Sequence, residues 1–381
     1  MKIGTLTLPL HTNYGGNLQA FALMKVLKDM GHEPVLINRR QNEMPGWKLP
    51  IVIVKRSIKK YLLGKKGTTI FLESKAKKEF PIISQFTQPF IDKYITPQTE
   101  PFYSSQELLN GIEKYNFDAV IVGSDQVWRV PYAPNIEDNF FGFLRGDKTK
   151  RISYAASFGT SDWEFSEEQT QNCKKLLQHF DAVSVREQDG VVLSKTKFNV
   201  DATHVLDPTM LLTSEDYMKI VGKRTESREG KDLLVYVLDN TQDKDVVIAE
   251  ISKKYSYNPF RVNTKTEQID NTGVGLNDLI APPTEDWLAG FNDAKFVVTD
   301  SFHACAFSIL FNKPFVVYGN KSRGLARFTS LLAMFGLEDR LIYESGQVTS
   351  ILAKEIDWNK VNLILEEKRE FSRNFLISAL K

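Results

Sequence analysis

Cysteine and long apolar runs are both scarce in this sequence. The two cysteines, Cys173 and Cys305, lie far apart, which excludes a disulfide framework and a zinc ribbon and fits two buried thiols in a reducing compartment. No apolar run reaches the length of a membrane span, and the amino terminus lacks the basic, apolar and small-residue order of a signal peptide. We therefore expect a protein that stays in the cytoplasm.

The sequence also has no marked excess of basic or acidic residues. The 49 basic residues nearly cancel the 47 acidic ones, so the overall field gives no reason to expect nucleic acid as a partner. No cluster of metal-ligating residues stands out in the sequence, and we expect neither a metal nor an organic cofactor. Any electrostatic function must then be local.

The segment 48–78 is the exception to this balance. It contains ten Lys or Arg and one acid, Glu73. Four of its apolar residues fall on one face of a helix: Val54, Ile58, Tyr61 and Leu62. A basic amphipathic helix can lie peripherally on the inner face of an anionic membrane, whereas a solvated cationic face over a small core is the commoner explanation of a charge run. The sequence leaves both interpretations open.

Short apolar runs with β-branched residues alternate with longer segments of helical periodicity, which is the pattern of a βαβ chain. The predicted strands are 3–8, 34–37, 119–122, 152–155 and 182–185, and after a polar connector 233–238, 260–262, 296–299 and 315–318. Helices fill the gaps, notably 17–30 and 167–179. The sequence thus predicts an α/β fold with two Rossmann-like lobes, 1–210 and 211–357, each built on a parallel sheet, and a closing helix at 358–381.

The strongest candidate for chemistry is the turn that follows the predicted strand 296–299. It carries Asp300, Ser301, Phe302 and His303 and opens a helix. Turns at the carboxyl ends of parallel strands face a ligand cleft, and free N–H groups at a helix start attract an anion once Asp300 or Ser301 caps the helix. His303 would then have its protonation coupled to the substrate. A histidine packed under the turn fits the same pattern.

A second polar turn, bounded by glycines, follows the next strand. Its basic residues are Lys321, Arg323 and Arg327. Such a loop is a plausible clamp for phosphate or carboxylate, because arginine offers a planar fork of donors. An exposed basic loop without a ligand explains the residues equally well.

Two turns in the first lobe suggest a binding surface for a sugar. After the first strand come Asn13, Tyr14, Gly15, Gly16 and Gln19. Paired glycines let the backbone approach a ligand closely, and the amides add neutral hydrogen bonds. The pattern is neither a dinucleotide fingerprint nor a phosphate-binding loop of the Walker type, because the third Gly and the Gly-Lys-Ser/Thr are missing.

The turn after the strand 119–122 offers a carboxylate, an amide and an aromatic ring. It carries Ser124, Asp125, Gln126 and Trp128. The indole ring suits a sugar face, although a capped helix with a packing Trp is an equal alternative. Arg186 follows the strand 182–185 and points toward the same cleft, or else pairs only with Glu187.

Six motifs, taken in order along the chain, resemble those of the polysaccharide pyruvyl transferases over residues 3–340. They are the segments 13–20, 122–128, 153–159, 184–187, 207–211 and 299–304. The resemblance implies a fold similar to the two-lobed glycosyltransferase-B architecture, with the active site in the cleft between the lobes. It also implies transfer of the enolpyruvyl group of phosphoenolpyruvate to a sugar or lipid-linked oligosaccharide of a cell-surface polysaccharide, with release of phosphate.

By this resemblance His303 is the catalytic residue, and we expect it to act as a general acid toward the enol ether. Donor contacts are expected at Arg186, Ser301, Phe302, Lys321, Arg323 and Arg327. Acceptor contacts are expected at Asn13, Tyr14, Gly15, Gly16, Gln19, Ser124, Asp125, Gln126 and Trp128.

One position departs from the family pattern, because Ser301 stands where many members carry Arg. The basic turn could supply the missing charge, or the donor could differ. A sugar-nucleotide glycosyltransferase of the same architecture and a carbohydrate-binding protein without catalysis are the alternatives that the sequence leaves open.

Overall fold

Strand pairing divides the molecule into two parallel sheets. The structure is a computed structural model that describes residues 1–43, 46–64, 68–146, 148–222, 230–264, 275–319 and 324–381. Within these ranges the first lobe holds six strands: β1 (Lys2–Leu6), β2 (Glu33–Leu36), β3 (Ala119–Gly123), β4 (Lys150–Ala156), β5 (Ala182–Val185) and β6 (Thr203–His204). They pair in parallel in the order β2-β1-β3-β4-β5-β6.

The second lobe holds five strands in the described ranges. They are β7 (Leu233–Tyr236), β8 (Pro259–Phe260), β9 (Phe296–Thr299), β10 (Phe315–Tyr318) and β11 (Leu341–Ile342). They also pair in parallel, in the order β11-β10-β9-β7-β8. The predicted α/β class with two parallel-sheet lobes is confirmed. Short, uninterrupted apolar runs identified the central strands, because strands covered on both faces are apolar throughout.

Helices connect the strands and cover both sheets. In the first lobe they are α1 (Tyr14–Asp29), α2 (Leu49–Tyr61), α3 (Leu72–Ile83), α4 (Gln88–Tyr94), α5 (Ser105–Gly111), α6 (Glu167–Leu177) and α7 (Gln188–Leu193). Further along the chain they are α8 (Ser214–Val221), α9 (Gln242–Tyr255), α10 (Thr284–Asp293), α11 (Phe302–Leu310), α12 (Ala326–Phe335), α13 (Val348–Leu352) and α14 (Trp358–Leu380). Among them, no helix combines the length and apolarity that crossing a membrane requires.

The last helix, α14, crosses back from the second lobe to the end of the first. Arg369 Nε donates to the Met210 carbonyl at 3.0 Å, and Arg373 Nη2 donates to the Leu211 carbonyl at 2.8 Å. Ser372 Oγ accepts a hydrogen bond from Leu206 N at 3.0 Å. These bonds satisfy backbone groups of the segment that leaves the first sheet. The helix contacts β4 of the first lobe and α12 of the second.

Both sheets reverse their strand order where the cleft forms. The chain passes from β1 to β2 on one side and then returns to β3 on the other, and the second sheet does the same with β7, β8 and β9. At such a switch point the loops beyond the carboxyl ends of the central strands separate and leave a crevice. The loops after β1 and β3 and those after β7 and β9 line one cleft between the lobes.

Candidate active site

The Asp300 carboxylate fixes the turn between β9 and α11 through hydrogen bonds and an ion pair. The Asp300 carboxylate accepts hydrogen bonds from Leu238 N at 2.7 Å and Asp239 N at 3.2 Å, and it pairs with Lys244 Nζ at 2.6 Å. Ser301 occupies the N-cap position without a side-chain capping bond. The expectation that Asp300 or Ser301 caps the helix was therefore wrong. Ser301 leaves the first N–H groups of α11 without a bond from the N-cap side chain, and Ser301, Phe302 and His303 line the cleft.

His303 stands in this first turn and meets the first turn of α1 from the other lobe. A Cβ built on Gly15 would lie 2.5 Å from His303 Cγ and would overlap the ring. Glycine is needed at this position because any side chain would displace the imidazole. Gly15, the first of the paired glycines, thus makes room for the histidine.

A buried carboxylate lies behind the histidine. Asp207 Oδ2 is 3.6 Å from His303 Nε2. The same oxygen accepts hydrogen bonds from Arg186 Nη1 at 2.8 Å and Ser124 Oγ at 2.7 Å, while Oδ1 accepts from Thr209 N at 2.9 Å. This carboxylate joins the histidine to the arginine that the sequence had placed separately in the site.

Asp207 was not among the predicted site residues. The motif that contains it, Asp-Pro-Thr-Met-Leu, contributed to the family resemblance, and that was its only signal. Burial alone would raise its pKa, but the His303 ring and the Arg186 guanidinium hold the pKa of the Asp207 carboxyl well below its usual range. Asp207 therefore stays ionised and can stabilise a protonated His303.

Arg186 is buried and has two acidic partners. It pairs with Asp207, and its Nε lies 3.3 Å from Glu187 Oε1. Ser157 Oγ donates a short hydrogen bond to the same Glu187 oxygen. The alternative of an ion pair with Glu187 is thus present, together with the link to Asp207. Arg186 Nη2 is buried without a hydrogen-bond partner among the described residues.

A second arginine approaches from α12. Both guanidinium groups lie over the Phe302 ring, Arg186 at 4.3 Å and Arg327 at 6.0 Å from its centroid. Burial, followed by the neighbouring Arg186 charge, lowers the pKa of Arg327 to about 10. It still carries its positive charge at neutral pH, and it lines the cleft. The other two predicted basic residues, Lys321 and Arg323, lie outside the described residues.

The first-lobe wall is built by the amino end of α1. Asn13 Oδ1 caps the helix by accepting from Gly16 N at 3.1 Å. Tyr14 donates through its hydroxyl to the Pro282 carbonyl at 2.7 Å and stacks on Trp287 of the second lobe. Gln19 is buried, donating to Thr7 Oγ1 and to the Gly16 carbonyl. Asn13, Tyr14 and both glycines line the cleft, whereas Gln19 lies behind them and supports the turn.

Residues of the turn after β3 divide between the cleft and the core. Asp125 and Gln126 line the cleft, and Asp125 holds a positive φ of 59°, a conformation that is strained for a non-glycine residue. Trp128 is fully buried, stacks on Phe140 and donates to the Asn139 carbonyl at 3.2 Å. The expectation of a sugar platform at Trp128 was therefore wrong, because its ring is core. Ser124 is buried too and donates to Asp207.

The cleft has a volume of about 640 Å³, within the range of pockets that enclose small ligands. It brings His303, Phe302, Ser301 and Arg327 of the second lobe opposite the first-lobe turns. Arg186 stands behind this surface with Asp207. The site thus offers cations and open backbone N–H groups at one end and neutral and acidic hydrogen-bonding groups at the other.

Two Rossmann-like lobes with a cleft between them define a protein of the glycosyltransferase-B fold class. UDP-GlcNAc 2-epimerase from Neisseria meningitidis bound to UDP-GlcNAc has this fold, with a TM-score of 0.55 at 10% identity, covering 100% of this chain and 99% of its own. The epimerase from Methanocaldococcus jannaschii gives 0.54 at 10% identity, covering 94% and 93%. S. aureus MnaA with UDP gives 0.51 at 12% identity, covering 96% and 90%.

The family model for polysaccharide pyruvyl transferases matches residues 13–322. The chain belongs to this family and is a transferase, and the resemblance predicted from the sequence is confirmed. No curated protein matches the sequence.

Proposed function

We propose that this protein transfers the enolpyruvyl group of phosphoenolpyruvate to a sugar of a cell-surface polysaccharide precursor and releases phosphate. The observation that carries the proposal is the cluster of His303, Asp207, Arg186 and Arg327 around Phe302 at the open start of α11. This cluster joins an acid catalyst to two cations, which is what protonation of an enol phosphate with two anionic groups needs.

The donor is held by its two anionic groups. Arg186 has a buried N–H group without a partner among the described residues, and Arg327 brings a second positive charge to the same ring. Open N–H groups of α11 add a third source of positive potential. Arg327 takes over the charge that Ser301 cannot supply, so the departure from the family pattern at Ser301 does not remove the donor site.

Protonated His303 gives its proton to the methylene carbon of phosphoenolpyruvate, and an oxocarbenium-like centre develops at the adjacent carbon. A sugar hydroxyl attacks that carbon and passes its proton to the now neutral His303. A second hydroxyl then displaces phosphate, which leaves with that hydroxyl's proton, and closes the ketal. Asp207 orients the ring and offers its ionised oxygen to the imidazolium that acts as the acid, because Oδ2 lies 3.6 Å from Nε2.

The sugar lies against the first-lobe wall, where Asn13, Asp125 and Gln126 offer hydrogen bonds. Asp125 is acidic and lines the cleft, so it can accept hydrogen bonds from sugar hydroxyls. Both a free sugar and a lipid-linked oligosaccharide present such hydroxyls. The cytoplasm, where we place the protein, supplies phosphoenolpyruvate.

The test is incubation of the purified protein with phosphoenolpyruvate and candidate free or lipid-linked oligosaccharides, followed by mass analysis and by measurement of phosphate. We expect a pyruvyl-ketal product and one phosphate for each ketal formed. If candidate sugars bind but none of them leads to phosphate release, the result would instead support a carbohydrate-binding protein.

A sugar-nucleotide glycosyltransferase is the second candidate. The specific observation in its favour is the fold, because structures of that fold bind UDP-GlcNAc and UDP. A thermal shift titration separates the two candidates. Stabilisation by phosphoenolpyruvate and none by UDP-sugars supports the pyruvyl transfer, and the reverse pattern supports the glycosyltransferase.

A further inference from the structure

The first lobe carries a two-helix projection that the proposed chemistry does not use. We call it the basic arm and define it as the described residues 46–64 and 68–83, which contain α2 and α3. Neither helix has a buried residue. Arg56 joins the two helices by pairing with both carboxylate oxygens of Glu73, at 2.6 and 2.8 Å. The arm is therefore held together by its own ion pair and leaves most of its surface to the surroundings.

One side of the arm is apolar although it is exposed. Six large apolar residues of this side repeat at helical spacing: Trp47, Ile51, Val54, Ile58, Tyr61 and Leu62. Their exposed fractions reach 69% at Trp47, 73% at Tyr61 and 78% at Leu62. A contiguous exposed apolar stripe of this kind marks an interaction surface, because water-facing helices do not normally gather such residues on one side.

Cations flank the stripe. Lys48, Lys55 and Lys59 are exposed and follow the same helical repeat, which places them along one edge of the apolar residues. Residues 46–64 contain no Asp or Glu. On α3, Phe71 and Ile82 share a helical face with Lys75 and Lys78, and all four are exposed. Apolar and cationic groups thus run side by side on both helices.

We propose that the basic arm docks on the surface of an anionic lipid bilayer. Interfacial helices insert an apolar side that includes Trp or Tyr and keep lysines at the headgroups, which attract them electrostatically. The long lysine stems can reach the headgroups from the edge of the stripe. A second copy of the chain is a poorer occupant, because an interface between identical faces would oppose lysines to lysines.

The arm stands at the mouth of the cleft. Gln41, just before the arm, and Ile83, at its end, both line the cleft. The Ile83 carbonyl also accepts a hydrogen bond from Ala281 N of the second lobe at 3.3 Å. A bilayer under the arm would therefore lie beside the entrance, where the head of a lipid-linked sugar could enter. This consequence, unlike the docking itself, rests on the proposed function.

Co-sedimentation of the full chain with phosphatidylcholine vesicles, with or without phosphatidylglycerol, tests the docking. We expect binding to the anionic vesicles that weakens with added salt. Lys55→Glu with Lys59→Glu, and separately Ile51→Ser with Val54→Ser and Ile58→Ser, should each reduce binding at least about tenfold. All five positions are exposed or at the arm surface, so the variants keep the fold, and Lys175→Glu with Lys253→Glu is the matched control.

The docking would be overturned if the wild type did not bind anionic vesicles at low salt. It would also be overturned if both arm variants bound them as strongly as the wild type does. A third contrary result would be that neither the wild type nor the serine variant binds vesicles, while sedimentation velocity shows a wild-type dimer that is dissociated in the serine variant. Arm variants should lose phosphate release with a vesicle-embedded acceptor and keep it with a lipid-free one. Absence of phosphate release with every acceptor would reject the proposed function and leave the vesicle result standing.

Discussion

Gly15 of the first lobe lies directly against the His303 ring of the second, so closely that a single methyl group on Gly15 would overlap it. The contact joins the amino ends of α1 and α11 at the bottom of the cleft. The position of the proposed acid therefore depends on how the two lobes meet. The absence of a side chain at Gly15 permits that meeting.

Replacing Gly15 with Ala should move the histidine without unfolding the protein. We expect kcat to fall at least about 100-fold, because small displacements of a catalytic group have effects of that size, and stability to fall by about 1–3 kcal/mol from overpacking. Steady-state phosphate release and thermal unfolding measure the two effects. Gly346→Ala is the control, because a Cβ there meets nothing within 4 Å. Equal activity of both variants would show that the contact does not position His303.

Asp207 makes stability depend on pH in a defined direction. Its folded pKa is depressed from the ordinary value of 3.8, so the ionised form stabilises the fold above that value, and the contribution is lost progressively as pH falls from there through the depressed folded pKa. We expect the unfolding free energy of the wild type to decrease from about pH 5 toward pH 3. Asp207→Asn should be less stable at neutral pH by about 3–5 kcal/mol and should show a shallower decrease.

Urea unfolding between pH 3 and pH 7 measures both differences. Parallel pH curves for wild type and Asp207→Asn would contradict the assignment of a depressed pKa to this carboxyl.

Arg327 should govern affinity for the donor. Its removal takes away a charged partner of phosphate or carboxylate, and we expect Arg327→Ala to weaken phosphoenolpyruvate binding by about 10–100-fold. Arg327→Lys should recover part of the loss because the charge returns without the fork. Calorimetric titration gives the affinities, and Arg145→Ala, on the exposed surface, is the control. Unchanged affinity in Arg327→Ala would exclude this residue from the donor site.

The lobes and their central strands were predictable from the sequence because local patterns encode them. Buried parallel strands such as β3 and β9 are short apolar runs, and the turns that follow them face the ligand by topology alone. The two-residue strands β6 and β11 were missed, since so short a run carries no periodicity. His303 and Arg327 could be proposed for the site because each follows shortly after a strand.

The rest of the site depends on contacts between distant parts of the chain. Asp207 contacts Ser124, Arg186 and His303 only in the folded molecule. No local sequence pattern predicts that one carboxylate contacts all three residues. Trp128 was wrongly predicted to contact the acceptor, because a buried indole and an indole that stacks on a sugar fit the same local sequence. The neighbouring Asp125 does reach the cleft. One turn can thus supply both core and site, and burial decides which.

The most direct test of the account compares phosphate release by wild type and His303→Gln at saturating phosphoenolpyruvate and acceptor. Glutamine keeps much of the side-chain volume but cannot act as a general acid near neutral pH. We predict a loss of at least about 100-fold in kcat, with an unchanged circular dichroism spectrum and continued binding of phosphoenolpyruvate. Phosphate release by a folded His303→Gln at a rate near that of the wild type would contradict the account.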